Sequence, residues 1–209
     1  MAITPYDWSV VIVGRWNPAI LTPSGIARRI FRLDKDTPVE VLVPLDMVAP
    51  PVVKYERIAV VAGNEHLIIQ PDDPEYPQLA KAMELGGRAL QNLPETPLAA
   101  VGINVKFRVG QEVEALQAVT RKAEFDNRLS DHDFVISGRS LTRTLNWKNG
   151  RLSLTISEEQ DSPFEILFNF ELRSSNGVRH IDWLNIDVGE IQNQVTRILA
   201  ECIQIESED

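Results

Sequence analysis

Residues 147–172 read WKNGRLSLTISEEQDSPFEILFNFEL, and their alternation decides the fold class. Asn149-Gly150 between Trp147-Lys148 and Arg151-Leu152 predicts a tight two-residue hairpin, because both residues tolerate positive φ. Beyond it Leu152, Leu154 and Ile156 alternate with Arg151, Ser153, Thr155 and Ser157, the period of a half-buried strand. A polar turn over Glu158 to Ser162 follows, and then Phe164, Ile166, Phe168, Phe170 and Leu172 share one face of a second strand. Burial of such side chains stabilises by roughly 1.5–3 kcal/mol each, so that face requires a cover. The cover is a helix opening at Asp187, where Glu190 stands at capping-box spacing with Asp in place of the usual Ser or Thr. Val188, Ile191, Val195, Ile198, Leu199 and Cys202 form its apolar stripe, which places Cys202 as a buried structural thiol.

Working outward, the same layout occurs upstream in looser form. Trp8 to Val13 is a nearly continuous apolar run, as in a strand covered on both faces. Thr22-Pro23-Ser24 starts a short helix carrying Ile26 and Ile30. Val39, Val41, Val43 and Leu45 alternate as a strand, and Ala49-Pro50-Pro51 forms a loop. Tyr55 to Val61 and His66 to Gln70 pair around Gly63-Asn64. Asp72-Asp73-Pro74-Glu75 then opens a helix whose Leu79, Ala82, Met83, Gly86, Leu90 and Leu93 lie on one side, with close backbone packing expected at Gly86-Gly87. Val101, Ile103, Val105, Phe107 and Val109 share a strand face, and Gln111 to Thr120 has helical spacing. The expected fold class is therefore α+β, mainly antiparallel sheet, with two meander-plus-helix sub-lobes packed together. Residues 1–110 form the N-terminal sub-lobe, 111–133 a helical and polar connection, and 134–209 the C-terminal sub-lobe of one compact domain.

The chain has 209 residues and a formal charge of −9, a balance that disfavours broad binding to nucleic acid or anionic membrane. Glu206, Glu208 and Asp209 place three of the negatives in a solvated tail. One cysteine cannot form an internal disulfide, the first residues lack a secretory pattern, and no apolar run approaches a membrane span, so the expected location is cytoplasmic.

No constellation of catalytic residues is legible. His66, His132 and His180 lack metal-ligand spacing, and Asp131-His132-Asp133 reads as an exposed turn. Neither a GxSxG elbow nor a phosphate-binding glycine loop is present, and no cofactor or metal is expected. Arg28, Arg29 and Arg32, with Arg15 nearby, form the one basic cluster and the candidate anion site; the alternative is a solvated helix face. Among the four tryptophans, Trp16 stands in a Gly-Arg-Trp-Asn-Pro turn, either packed over the core or presented to a partner.

The segment Thr96-Pro97-Leu98-Ala99-Ala100-Val101-Gly102-Ile103-Asn104-Val105-Lys106-Phe107 resembles one in uncharacterised small bacterial proteins, a Thr-Pro turn feeding a strand of pattern Gly-apolar-Asn-apolar-x-aromatic. That resemblance implies a bacterial origin and no particular activity. In layout the chain also resembles export chaperones of the SecB type, which implies oligomers and grooves that hold unfolded chains. Three functions follow as expectations. The leading one is a non-enzymatic interaction or adaptor protein that self-associates or binds a protein partner. The others are a ligand or anion binder (or enzyme) with a pocket between the sub-lobes, and a peptide-binding chaperone.

Overall fold

The computed structural model describes residues 3–45, 49–111, 113–121 and 123–205. The acidic residues Glu206, Glu208 and Asp209 lie outside the described residues. The elements in chain order are β1 (Ile3–Gly14), α1 (Pro23–Ile26), β2 (Glu40–Leu42), β3 (Val52–Tyr55), β4 (Ile58–Ala62), β5 (His66–Pro71), α2 (Tyr76–Asn92) and β6 (Leu98–Val109). There follow α3 (Glu114–Thr120), α4 (Ala123–Ser130), β7 (Gly138–Trp147), β8 (Gly150–Glu159), β9 (Phe164–Arg173), α5 (Gly177–Leu184) and α6 (Val188–Arg197). Two π-helical turns, Ala27–Phe31 and Ile198–Ile203, extend α1 and α6.

The fold is α+β with an antiparallel sheet. Its strands run in the order β2-β3-β4-β5-β1-β6-β9-β8-β7, so both sub-lobes share one nine-stranded sheet. The joint is β6 against β9, paired from Ala100↔Arg173 to Val109↔Phe164. One face carries the core: Val10, Ile12, Val101, Ile103, Val105, Phe164, Ile166, Phe168 and Phe170 are all 1% exposed or less. Helix α2 lies over β1 and β5 and touches α5 and α6; α5 packs on β6, and its Trp183 reaches the C-terminal strands, donating to the Phe170 carbonyl and meeting the Trp147 ring. Thr22 caps α1 by accepting from the Gly25 N–H, and Asp187 caps α6 by accepting from the Gly189 N–H. Glu190 does not complete a capping box; its carboxylate meets Lys148 at 2.5 Å.

The opposite face of the sheet carries no helix among the described residues. Its register sets Leu42, Val52, Val61, Ile68 and Val11 in one row across five adjacent strands, half-buried or exposed throughout. From β1 to β7 a row of uncharged polar side chains runs Ser9, Asn104, Asn169, Ser153, Thr144, joined by Asn169 Nδ2 to Asn104 Oδ1 (2.7 Å) and Asn104 Nδ2 to Ser9 Oγ (3.2 Å). Charges on this face pair off. Lys54 meets Asp72 at 3.0 Å, Lys106 meets Asp7, Arg108 meets Glu165 at 3.5 Å, and Arg151 and Arg173 meet Glu171 at 2.8 and 2.5 Å. Burial alone would raise the Glu171 carboxyl, but hydrogen bonds from the two arginines outweigh it and hold it below the ordinary carboxylate range.

Several local readings are corrected. The β7–β8 turn is centred on Lys148-Asn149, one residue earlier than Asn149-Gly150, since Trp147 pairs with Gly150 and Lys148 takes the positive φ (50°). Gly150 is required for space instead: a Cβ there would lie 2.4 Å from the Glu171 carbonyl oxygen and 2.7 Å from the Trp183 ring. Tyr55 to Val61 is no single strand but a hairpin turning at Glu56-Arg57, both at positive φ. Nothing in those side chains signals it; the Asp72 N–H donating to the Arg57 carbonyl and the Arg57–Asp73 ion pair hold it. The strand expected over Val39 to Leu45 shrinks to β2, with Val43 and Leu45 exposed beyond it. Residues 121–133 contain a helix, α4, and α5 has no counterpart in the sequence reading. Cys202 is exposed rather than buried. The wider π-helical turn adds a residue per turn, so the inward position passes from Cys202 to Ile203, 4% exposed.

Close backbone packing holds at Gly86, where a Cβ would approach Leu184 Cδ1 to 3.1 Å, but not at Gly87, where nothing lies within 4 Å. Gly87→Ala should therefore raise stability by up to ~1 kcal/mol through helix propensity, and Gly86→Ala should gain less or lose. Chemical denaturation of the two variants checks this; equal gains would contradict the packing described.

Candidate functional site

The sub-lobes leave a groove where they meet on the helix-covered side. Its origin is a gap in strand pairing: β5 accompanies β1 only over Val10–Val13, so Ile3–Tyr6 pair with β6 alone. The change comes with a register irregularity between Tyr6 and Ser9 and a positive φ (49°) at Asp7. Beside the unaccompanied stretch, Pro74, Glu75 and the start of α2 form one wall, and α6 forms the other. The enclosed space is about 740 Å³, against 210–290 Å³ for four smaller pockets.

Its surface is apolar and aromatic. Ile3, Pro5, Trp8, Tyr76, Pro77 and Phe107 come from the N-terminal sub-lobe, Val195 and Leu199 from α6. The Trp8 indole is fixed: its Nε1–H donates to the Lys106 carbonyl (2.9 Å), and its ring packs 4.7 Å from Tyr76 and edge-on 5.8 Å from Phe107. Burial pushes the Tyr76 hydroxyl well above its ordinary range, so it stays protonated at neutral pH. Gln192, Asn193 and Thr196 present exposed amide and hydroxyl groups along the α6 rim. Glu75 is the one charged side chain among the lining residues.

The arginine cluster is elsewhere. Arg15, Arg28, Arg29 and Arg32 are all exposed. Arg29 sits where its carbonyl accepts from Asn92 Nδ2 (2.6 Å), at the C-terminal end of α2. The groove adjoins the other end of this 17-residue helix, about 25 Å away at 1.5 Å per residue. The arginines thus do not enter the space between the sub-lobes. Trp16 is 4% exposed, with Nε1 donating to the Ile12 carbonyl (3.1 Å); its ring is packed over the core and is not presented to a partner.

A second polar cluster is structural in character. Glu158, 8% exposed, receives both the Nε and Nη2 hydrogens of Arg121 and lies 3.7 Å from Arg139, which in turn holds Asp126 at 2.9 Å. These pairs clamp α4 and the start of β7 to β8. The Asp131-His132-Asp133 turn is exposed, and among the described residues no group of three or more His, Cys, Asp or Glu could hold a metal ion. No helix among the described residues is long and apolar enough to cross a membrane. Compared with known proteins, the chain matches no family model and no curated protein.

The groove residues were hidden from sequence reasoning. Trp8, Tyr76 and Phe107 each read as an ordinary strand or helix residue, and they converge from segments roughly 30 to 100 positions apart, a distance that no local spacing encodes.

His180 is completely buried on α5, and neither ring nitrogen has a hydrogen-bond partner. Burial first, and the neighbouring Arg179 charge second, lower its pKa below the ordinary value. The native state therefore holds it neutral, while the unfolded chain protonates it near pH 6.5. Its contribution to stability is present above about pH 6.5 and declines as pH falls below that value. His180→Leu should flatten the fall in denaturation midpoint between about pH 7 and 5; an unchanged slope would show that His180 titrates normally in the fold.

Proposed function

We propose that the protein is a non-enzymatic interaction protein that captures an extended apolar segment of a partner protein in the groove between its sub-lobes. The groove itself carries this reading. Its volume of about 740 Å³ and the accessible Ile3, Pro5, Tyr76 and Pro77, seated on the buried Trp8 and Phe107, offer a preformed apolar surface. The rim supplies neutral hydrogen-bonding groups, Gln192, Asn193 and Thr196, suited to the backbone of an extended chain. Charge narrows the occupant. A chain of net charge −9 whose groove bears a carboxylate and no cation disfavours acidic segments and favours neutral or basic ones. The proposed activity is akin to that of the SecB-type chaperones, which the layout resembles, and differs from anion binding, since the arginines stand at the far end of α2.

An array of extended peptides, graded in apolar content and bearing Lys or Glu beside the apolar core, tests the reading. Binding should rise with apolar content and favour the Lys series. Thr196→Trp, at an exposed rim position, should fill the groove and weaken the best peptide at least tenfold while leaving the circular dichroism unchanged. Equal binding by the variant, or preference for the acidic series, would remove the groove from the function.

A further inference from the structure

We infer that the helix-free face of the sheet is the contact between two copies of this chain, related by a two-fold axis. The inference is independent of the groove, which lies on the opposite, helix-covered side. It begins from the row Leu42, Val52, Val61, Ile68, Val11, which the pairing register aligns across five neighbouring strands. No element among the described residues covers it: α2 packs on the other side of β1 and β5, where Val10, Ile12, Leu67 and Ile69 are fully buried. A row of β-branched and leucine side chains on a pleated surface is what the inner face of a two-sheet sandwich presents. The described residues form no second sheet to pack on it, and another copy supplies one.

Charge favours a second copy over an unlike partner. The chain carries −9, so most of its surfaces repel a copy of itself. The helix-free face differs, because its lysines and arginines are matched by carboxylates of the same face. Two molecules meeting through it bring together locally neutral surfaces. Size agrees as well. The nine strands, from the 3 residues of β2 to the 12 of β1 and β6, average about eight residues. At about 4.8 Å by about 3.3 Å per residue the face is on the order of 1,100 Å², enough for the roughly 800 Å² per partner of a standard interface. The apolar row makes the dry part of the contact, over β2 to β1, and the Asn, Ser and Thr row its polar part, over β1 to β7.

Light scattering on the full chain, with reductant present so that exposed Cys202 cannot cross-link, tests the proposal. The wild type should have twice the 23.5 kDa chain mass at micromolar concentration. Val61→Glu, whose side chain sits half-buried in the middle of the row, should weaken self-association at least tenfold and give monomers. Val52→Lys serves if Val61→Glu fails to fold. Val178→Glu, exposed on α5 and away from this face, should leave the dimer intact. A monomeric wild type, or a dimer that survives both row substitutions, overturns the inference; loss of peptide binding in the groove with the dimer preserved does not.

Discussion

The pairing of β6 with β9 is the constraint on which the rest depends. Ten residues of each strand run in continuous register, from Ala100 opposite Arg173 to Val109 opposite Phe164. Through that ladder the side chains of both halves fall on the same two faces. A slip of one residue would turn Phe164, Ile166, Phe168 and Phe170 to the helix-free side and bring Glu165 and Glu171 into the core. Once the register is set, one sheet face becomes a single apolar wall spanning both sub-lobes, and α2, α5 and α6 have one surface to cover between them.

Both candidate surfaces are consequences of how that wall is covered. The groove exists because β5 leaves β1 at Val10, so the end of the wall around Trp8 and Phe107 is bordered by a loop and a helix rather than by another strand. The helix-free face exists because the helices among the described residues pack on the same side. The apolar row runs from β2 to β1 and the polar row from β1 to β7, so the change from one to the other falls on β1, inside the N-terminal sub-lobe. Neither surface arises from a specialised motif. Each is a remainder left by strand pairing.

The legible parts of this fold were those with a local physical cause. Alternation marked β6, β8 and β9, and the 3.6-residue stripes marked α2 and α6, because those periods are consequences of backbone geometry alone. The caps at Thr22 and Asp187 were equally local. The failures share a different cause. Glu56-Arg57 turns with residues that have no turn preference, since the Asp72 N–H and the Asp73 carboxylate arrive from elsewhere to hold them. Cys202 reads as inward until the π-helical turn passes its position to Ile203. The glycine of the Asn149-Gly150 pair answers to the ring of Trp183, not to the turn.

By itself, then, the sequence determined the strongly periodic segments, β6, β8, β9, α2 and α6, and the apolar side of each, since those follow from periods of two and 3.6 residues. It also determined a strongly acidic chain with one cysteine. Strand order, the joining of the two meanders into one sheet, and the side left bare were decided only in the tertiary structure. So was the meeting of Trp8, Tyr76 and Phe107 with α6. The physical reason is that these depend on which apolar faces find one another across long stretches of chain, and each strand's pattern is compatible with many neighbours.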